Sequence, residues 1–445
     1  MKVSSAIPRL TTFPLILCLL GSLAQAACPD VFISEFMASN DRTLNDEDGD
    51  DSDWIEIFNS GSTPTSLNGW FLTDKANNLV KWRFPDVFVS PNGYLVIFAS
   101  EKDKTNPTGS LHTNFKLSAD GEYLALISPT ANVISEFAPA YPKQFTDVSY
   151  GRTPGMPEVL GYFTQPTPAE PNASGGAGFA PEVHFSNASG TFTTSFNLTL
   201  STSASDSVIR YTLDGHLPTN SSPAYAEPIW IANSVQVRAQ AFEDGLLPGP
   251  PHSESFLLLS NDVVNFTSDL PVIIIHSLGQ PAPTSTNQSS AHISVHEPIG
   301  GVTSLTNPAT LATRSRIKVR KVTRPKSSFT LEFWDEHNRD KSQEIIGLPP
   351  DADWVLYAPQ KEDAVLIHNP FIYQLSRDIG RYSPRTRFVE VYFNAGAGPI
   401  GMTNYHGIYV LEEKIKIGRH RVDNRQTSAG ACPAARSDRR LFAAD

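Results

Sequence analysis

Short alternating runs broken by turn residues recur along most of the chain, and they constrain its fold more than any other feature. Trp54-Ile-Glu-Ile-Phe58, Tyr94-Leu-Val-Ile-Phe98, Val235-Gln-Val-Arg-Ala-Gln-Ala-Phe242 and Arg387-Phe-Val-Glu-Val-Tyr-Phe393 all show this pattern. A period near two puts successive side chains on opposite faces of a strand. Pro91-Asn-Gly93, Ala119-Asp-Gly121 and Asp214-Gly215 carry the turn residues that close such runs. One stretch, about Ala364 to Ile379, reads as a helix. At 445 residues the chain is long enough for about three domains.

Met1 to about Ala26 reads as a secretory signal peptide. Lys2 and Arg9 precede an apolar core from Phe13 to Leu20, and Ala24-Gln-Ala26 fits a small-residue cleavage site. The expected location is secreted or cell surface. No membrane span is expected after cleavage, because no later run is long and apolar enough. Cys28 and Cys432 stay in the mature chain. They are too few for a disulfide scaffold or a zinc site, and whether they pair is open. The formal net charge of -11 argues against nucleic acid, whose phosphates are met by Lys and Arg. Asn172, Asn187, Asn197, Asn220, Asn265 and Asn287 head Asn-x-Ser/Thr sequons.

Residues 31–152 read as an all-β domain of many short strands, a β-sandwich by spacing. Its acidic loop holds Asp46, Asp48, Asp50, Asp51 and Asp53 around Gly49. Two readings stand. Asp46, Asp48, Asp50 and Asp53 chelate Ca2+ with hard carboxylate oxygens, or the loop is simply solvated. Ile33-Ser-Glu-Phe-Met-Ala-Ser-Asn40, Asp53-Trp-Ile-Glu-Ile-Phe-Asn59, Leu67-Asn-Gly-Trp70 and Gly93-Tyr-Leu-Val-Ile-Phe98 resemble a lamin-tail domain. That resemblance implies an immunoglobulin-like sandwich without catalytic residues.

Residues 166–178, rich in Pro, Ala, Ser and Gly, read as a linker. Residues 180–259 read as a second small sandwich. Trp230 is expected in a core or inter-domain contact, with a sugar-stacking platform as the alternative. Ile209-Arg-Tyr-Thr-Leu-Asp-Gly215, Pro218-Thr219, Tyr225 and Val237-Arg-Ala239 resemble the C-terminal accessory domain of chitobiase and hexosaminidases. The resemblance implies carbohydrate context and no catalytic residues.

Residues 269–423 read as mixed α/β, a twisted sheet with a helix on one face. Arg316 to Phe329, Gly347-Leu-Pro349, Trp354-Val-Leu356, Asp363-Ala-Val-Leu-Ile-His-Asn369 and Gly407-Ile-Tyr-Val-Leu-Glu-Glu413 resemble the spore coat protein H (CotH) kinase-like family. The resemblance implies ATP with Mg2+. Lys326 and Arg316 would clamp phosphates, with Asp363, Glu412 or Glu413 orienting the lysine. Beside it stand blander readings: basic residues guarding a sheet edge, and Asp363 as a helix-start carboxylate. Val319-Arg-Lys-Val322 stands where the family carries a Gly-Asn-Ser-Ser-like stretch, so bulky groups replace those that let backbone approach phosphate. The match stops near Val422-Asp423, and residues 424–445 read as a disordered or aberrant tail. The expected architecture is multidomain: two all-β immunoglobulin-like sandwiches, then an incomplete α/β (α+β) kinase-like lobe with apolar surface left uncovered. The expected function is binding to extracellular or surface proteins by a protein inactive as a kinase. The alternatives are a fragment of an ATP-dependent extracytoplasmic protein kinase and a carbohydrate-associated binding protein.

Overall fold

The computed structural model describes residues 30–321, 326–358, 363, 365–417 and 421–422. Residues 1–26, expected as a signal segment, Cys28, Arg324, Cys432 and residues 424–445, expected as a tail, lie outside the described residues. The chain divides into two compact units, residues 1–177 and 178–445. It is multidomain and β-rich, with a barrel in its C-terminal region. No described helix is long and apolar enough to cross a membrane.

The principal strands of the first unit are β1 (Val31–Met37), β2 (Asp53–Asn59), β3 (Phe71–Thr73), β4 (Trp82–Arg83), β5 (Tyr94–Ala99), β6 (Leu111–His112), β7 (Leu124–Ile127), β8 (Val133–Phe137), β9 (Ser149–Thr153) and β10 (Met156–Phe163). They form a six-stranded sheet, β10-β9-β1-β2-β5-β6, and a four-stranded sheet, β8-β7-β3-β4. Phe36 of the first sheet meets Phe137 of the second with ring centroids 5.0 Å apart. Trp54, Ile57, Leu72, Trp82 and Leu126 are buried around that contact's sheets.

Two carboxyls interrupt this apolar pattern. Glu35 and Glu56 are direct cross-strand partners, and both are fully buried. They draw donors from the stretch whose composition reads as a linker. Thr167 donates its N–H at 3.3 Å and its hydroxyl at 3.1 Å to Glu35, and the Ala169 N–H donates to Glu56 at 2.6 Å. Asn172 Nδ2 donates to the carbonyls of Ser34 at 3.1 Å and Arg152 at 2.8 Å. Residues 167–172 are therefore fastened to the first unit, and the amide nitrogen of the Asn172 sequon is already engaged.

The second unit begins with β11 (Gly190–Phe192), β12 (Val208–Thr212), β13 (Val235–Phe242) and β14 (His252–Leu258), a sheet in the order β11-β14-β13-β12. Val237, Ala239, Ala241 and Phe256 fill its core. Trp230, expected in a core or inter-domain contact, is 62% exposed. Alternation explains the correction: its neighbour Ile231 turns inward, so Trp230 turns out.

Residues from 272 onward do not form a sheet with a helix laid on one face. β15 (Val272–His276), β16 (Ser289–His296), β17 (Leu311–Lys321), β18 (Ser328–Trp334), β19 (Asp353–Tyr357), β20 (Thr386–Asn394) and β21 (Tyr405–Glu413) close into a barrel, β15-β16-β17-β18-β19-β21-β20. The closing pair, β15 with β20, is parallel. Every second residue points inward, among them Ile273, Ile293, Ile317, Leu331, Trp354, Val391 and Tyr409, and these side chains fill the interior. α1 (His368–Asp378) buries no residue. Its Phe371, Ile372 and Leu375 are exposed, as is Ile379 beyond its end. The expected α/β packing does not form: the strands close on one another around a core filled from within, and the outer face of β15 and β20 is covered by Leu257, Leu259, Val263 and Ile400 rather than by α1.

Candidate functional site

The barrel carries the residues expected to clamp a nucleotide, and it keeps them apart. Lys326 reaches from the segment before β18 to β21. Its ammonium donates to the Ile408 carbonyl at 2.9 Å and stands 5.1 Å from the Tyr409 ring centroid. Burial pushes its pKa down. Gly407 makes room for this contact: it has φ +75°, and a Cβ there would lie 3.0 Å from the lysine nitrogen.

Arg316 is on β17, with its side chain on the outer face. Its guanidinium pairs with Glu332 and lies 5.8 Å from the Trp334 ring centroid. It lines a cleft of about 350 Å³ with Lys318, Arg320 and Lys414. Lys414 is paired with Asp353 at 2.8 Å. Lys318 and Arg320 have no ion-pair partner among the described residues. Arg314, Arg316, Lys318 and Arg320 recur at period two, a signal present in the sequence beyond Arg316 alone.

The three carboxylates hold other posts. Asp363 accepts the His368 N–H at 2.7 Å, at the first residue of α1, and its second oxygen is buried without a partner among the described residues. Glu413 is bound by Arg385 at 2.5 Å and Arg421 at 2.6 Å. Glu412 accepts from Asn369 at 3.3 Å, and burial pushes its carboxyl up to about 7. None bonds to Lys326. Tested against ATP with Mg2+, these residues do not fit as a set: the lysine serves a backbone carbonyl, the arginine serves Glu332, and no carboxylate joins them.

The acidic loop of the first unit is better assembled. Asp46, Asp48 and Asp50 bring carboxylate oxygens within 4.8 Å of one another. Lys102, which the sequence reading did not single out, occupies their centre. Its Nζ lies 2.6 Å from Asp46, 2.8 Å from Asp48 and 2.8 Å from Asp50. Lys104 binds Glu47 and Asp48, each at 2.6 Å. Burial raises the Asp46 carboxyl, but Lys102, Ser52 and two backbone N–H groups pull it well below the usual range. Asp53 stands outside the group. It accepts the Asn40 N–H at 3.3 Å, and burial pushes it up to about 6. The alternating Glu101-Lys102-Asp103-Lys104 was the available signal, but its distance along the chain from the loop hid it.

Three family models match the chain, in order. Lamin Tail Domain matches residues 24–140. Chitobiase/beta-hexosaminidase C-terminal domain matches residues 187–252. CotH kinase protein matches residues 320–434, which begin near the end of β17. No curated protein matches the chain. This domain composition is consistent with a multidomain surface or binding protein that carries a partial CotH-kinase-like region.

Proposed function

We propose that the chain is a secreted or cell-surface protein that acts by binding extracellular or surface partners, without phosphoryl transfer by the described barrel. The first two modules are taken as immunoglobulin-like sandwiches, and the barrel as a relative of a kinase lobe put to another use. The observation that carries this reading is the post held by Lys326. An ammonium bonded to the Ile408 carbonyl and set against Tyr409 is a strut between two strands. Phosphoryl transfer asks for a lysine, a metal and carboxylates that converge. The test uses the purified mature chain with Mg2+ or Mn2+ and labelled ATP, beside Lys326→Ala. No label transfer is expected from either. Transfer to the chain or to a secreted acceptor that disappears in Lys326→Ala overturns the reading and puts the enzyme first.

A second activity is favoured by one observation. The convergence of Asp46, Asp48 and Asp50 supports a Ca2+ site in the first unit, in competition with Lys102. Calcium binding there would be weak, on the order of 10⁻⁴ to 10⁻³ M as in extracellular modules.

A further inference from the structure

Within the second unit, a cleft of about 290 Å³ lies where the β12–β13 module meets the barrel. Asp214, His216 and Gln236 come from the module, and Ser277, Arg314 and Trp334 from the barrel. The volume is at the low end for small-ligand sites, enough for one compact ring.

Its chemistry is selective. Ser277 is fully buried and its hydroxyl has no partner among the described residues. A buried hydroxyl in that state is unfavourable until a ligand answers it. Gln236 spends Nε2 on Ser255 at 3.0 Å, which leaves its Oε1 to accept. Trp334 gives its indole N–H to Glu332 at 3.0 Å, so it brings the cleft ring carbons rather than a donor. The cations present are committed. Arg314 donates to the Asp335 carbonyl at 2.8 Å and to Asn338 at 2.6 Å. His216 and Asp214 pair at the mouth, 3.2 Å apart. Arg314 keeps its charge, but an anion would have to compete with its two bonds and with the Asp214 carboxylate in the same lining, so the cleft does not favour a phosphate or carboxylate. The seam is also held in shape: Arg238 bonds to the Gly215 carbonyl at 2.9 Å, to Ser253 at 3.0 Å and to the backbone of Glu336. A site built in advance loses less on binding.

We infer that this cleft binds one uncharged sugar ring of a glycan, its C–H face against Trp334 and its hydroxyls on Ser277 and Gln236. The inference rests on the reading of the chain as a binding protein and adds where and what it binds. Chitotriose, cellotriose and a sulfated trisaccharide are titrated calorimetrically into the full mature chain. Saturable binding of a neutral probe near millimolar affinity is expected, with none for the sulfated one. Trp334→Ala should weaken it at least about tenfold. Ser277→Ala carries the sharper test: affinity falls severalfold while the melting temperature holds or rises, because a buried unpartnered hydroxyl is removed. If Trp334→Ala fails to fold, Ser277→Ala and Gln236→Ala decide alone. Failure of both neutral probes to bind overturns the cleft, as does binding unchanged in Ser277→Ala and Gln236→Ala, or lost instead in Trp230→Ala. None of these touches the absence of label transfer, so the two readings fail separately.

Discussion

Glu35 and Glu56 in the first unit and Glu413 in the second are sealed from water alike, at 0%, 0% and 2% exposure, yet different chemistry answers them. Glu413 meets two guanidiniums, Arg385 and Arg421. Asp353 nearby meets Lys414 and Lys416, each at 2.8 Å. Among the described residues, Glu35 and Glu56 meet only hydroxyls, backbone N–H groups and each other. Ser149 and Thr167 serve Glu35, while Ser34 at 2.6 Å and Ala169 at 2.6 Å serve Glu56. Burial raises Glu35. Burial, with the Glu35 charge adding to it, pushes Glu56 up to about 8. The second unit thus answers Glu413 and Asp353 with cations. The first keeps a pair that folding prefers protonated, and uses it to hold residues 167–172.

The harshest way to break this contrast is to remove the ion from the second unit. Glu413→Ala leaves Arg421, whose side chain is 1% exposed, without its nearest carboxylate at 2.6 Å. Arg421 keeps Asp351 at 3.4 Å, so the loss should stay below the about 3–5 kcal/mol of a buried ion left wholly unpaired but exceed about 1 kcal/mol, and the melting transition of the second unit should fall accordingly in calorimetry. A loss below about 1 kcal/mol would mean the pair behaves as a surface bridge, and the contrast would collapse.

The first unit should respond with the opposite sign. Glu56 rises from its ordinary 4.5 to about 8, so across that window the folded chain holds a proton that the unfolded chain releases. Stability is then fullest below about pH 4.5 and declines as pH rises toward about 8. Glu56→Gln removes the charge and keeps one acceptor, the amide oxygen for the Ala169 N–H, while its NH2 faces the Ser34 hydroxyl as a donor. At pH 8 it should raise the melting temperature of the first unit by about 5 °C and flatten its decline with pH. The same slope in wild type and variant would show that Glu56 does not govern it.

The sequence pattern foretold parts of this comparison and concealed others. Period-two alternation located the strands around Trp54, Tyr94, Val237 and Val391, because each strand buries one face. Barrel closure was hidden, since it pairs Val272 with Glu390 across a separation no local pattern spans. The fastening of Thr167 and Ala169 was hidden too. Their Pro- and Gly-rich surroundings signal flexibility, and the buried carboxyls they serve lie on β1 and β2. Asp46, Asp48 and Asp50 were legible as a group because a tight loop forces neighbours together. Lys102 was not, because its partners come from another loop.

That lysine supplies the mildest test, on the charge cluster where the first unit does pair acids with cations. Lys102 sits where a cation would, within 2.8 Å of Asp46, Asp48 and Asp50, so Ca2+ must displace an ammonium that is already bonded. Lys102→Met keeps much of the chain length and removes the charge. In metal-free buffer the variant should melt slightly lower, because the Asp46 carboxylate, with 0% side-chain exposure, loses its cation. With Ca2+ the order should reverse. Calorimetric titration should show wild type binding on the order of 10⁻³ M, the weak end of that range, and the variant tighter by about tenfold. Lys104 still holds Glu47 and Asp48, which limits the gain. No heat and no thermal shift in either protein up to roughly 10 mM Ca2+ would leave the loop as a lysine-bridged turn and remove calcium from the account of this chain.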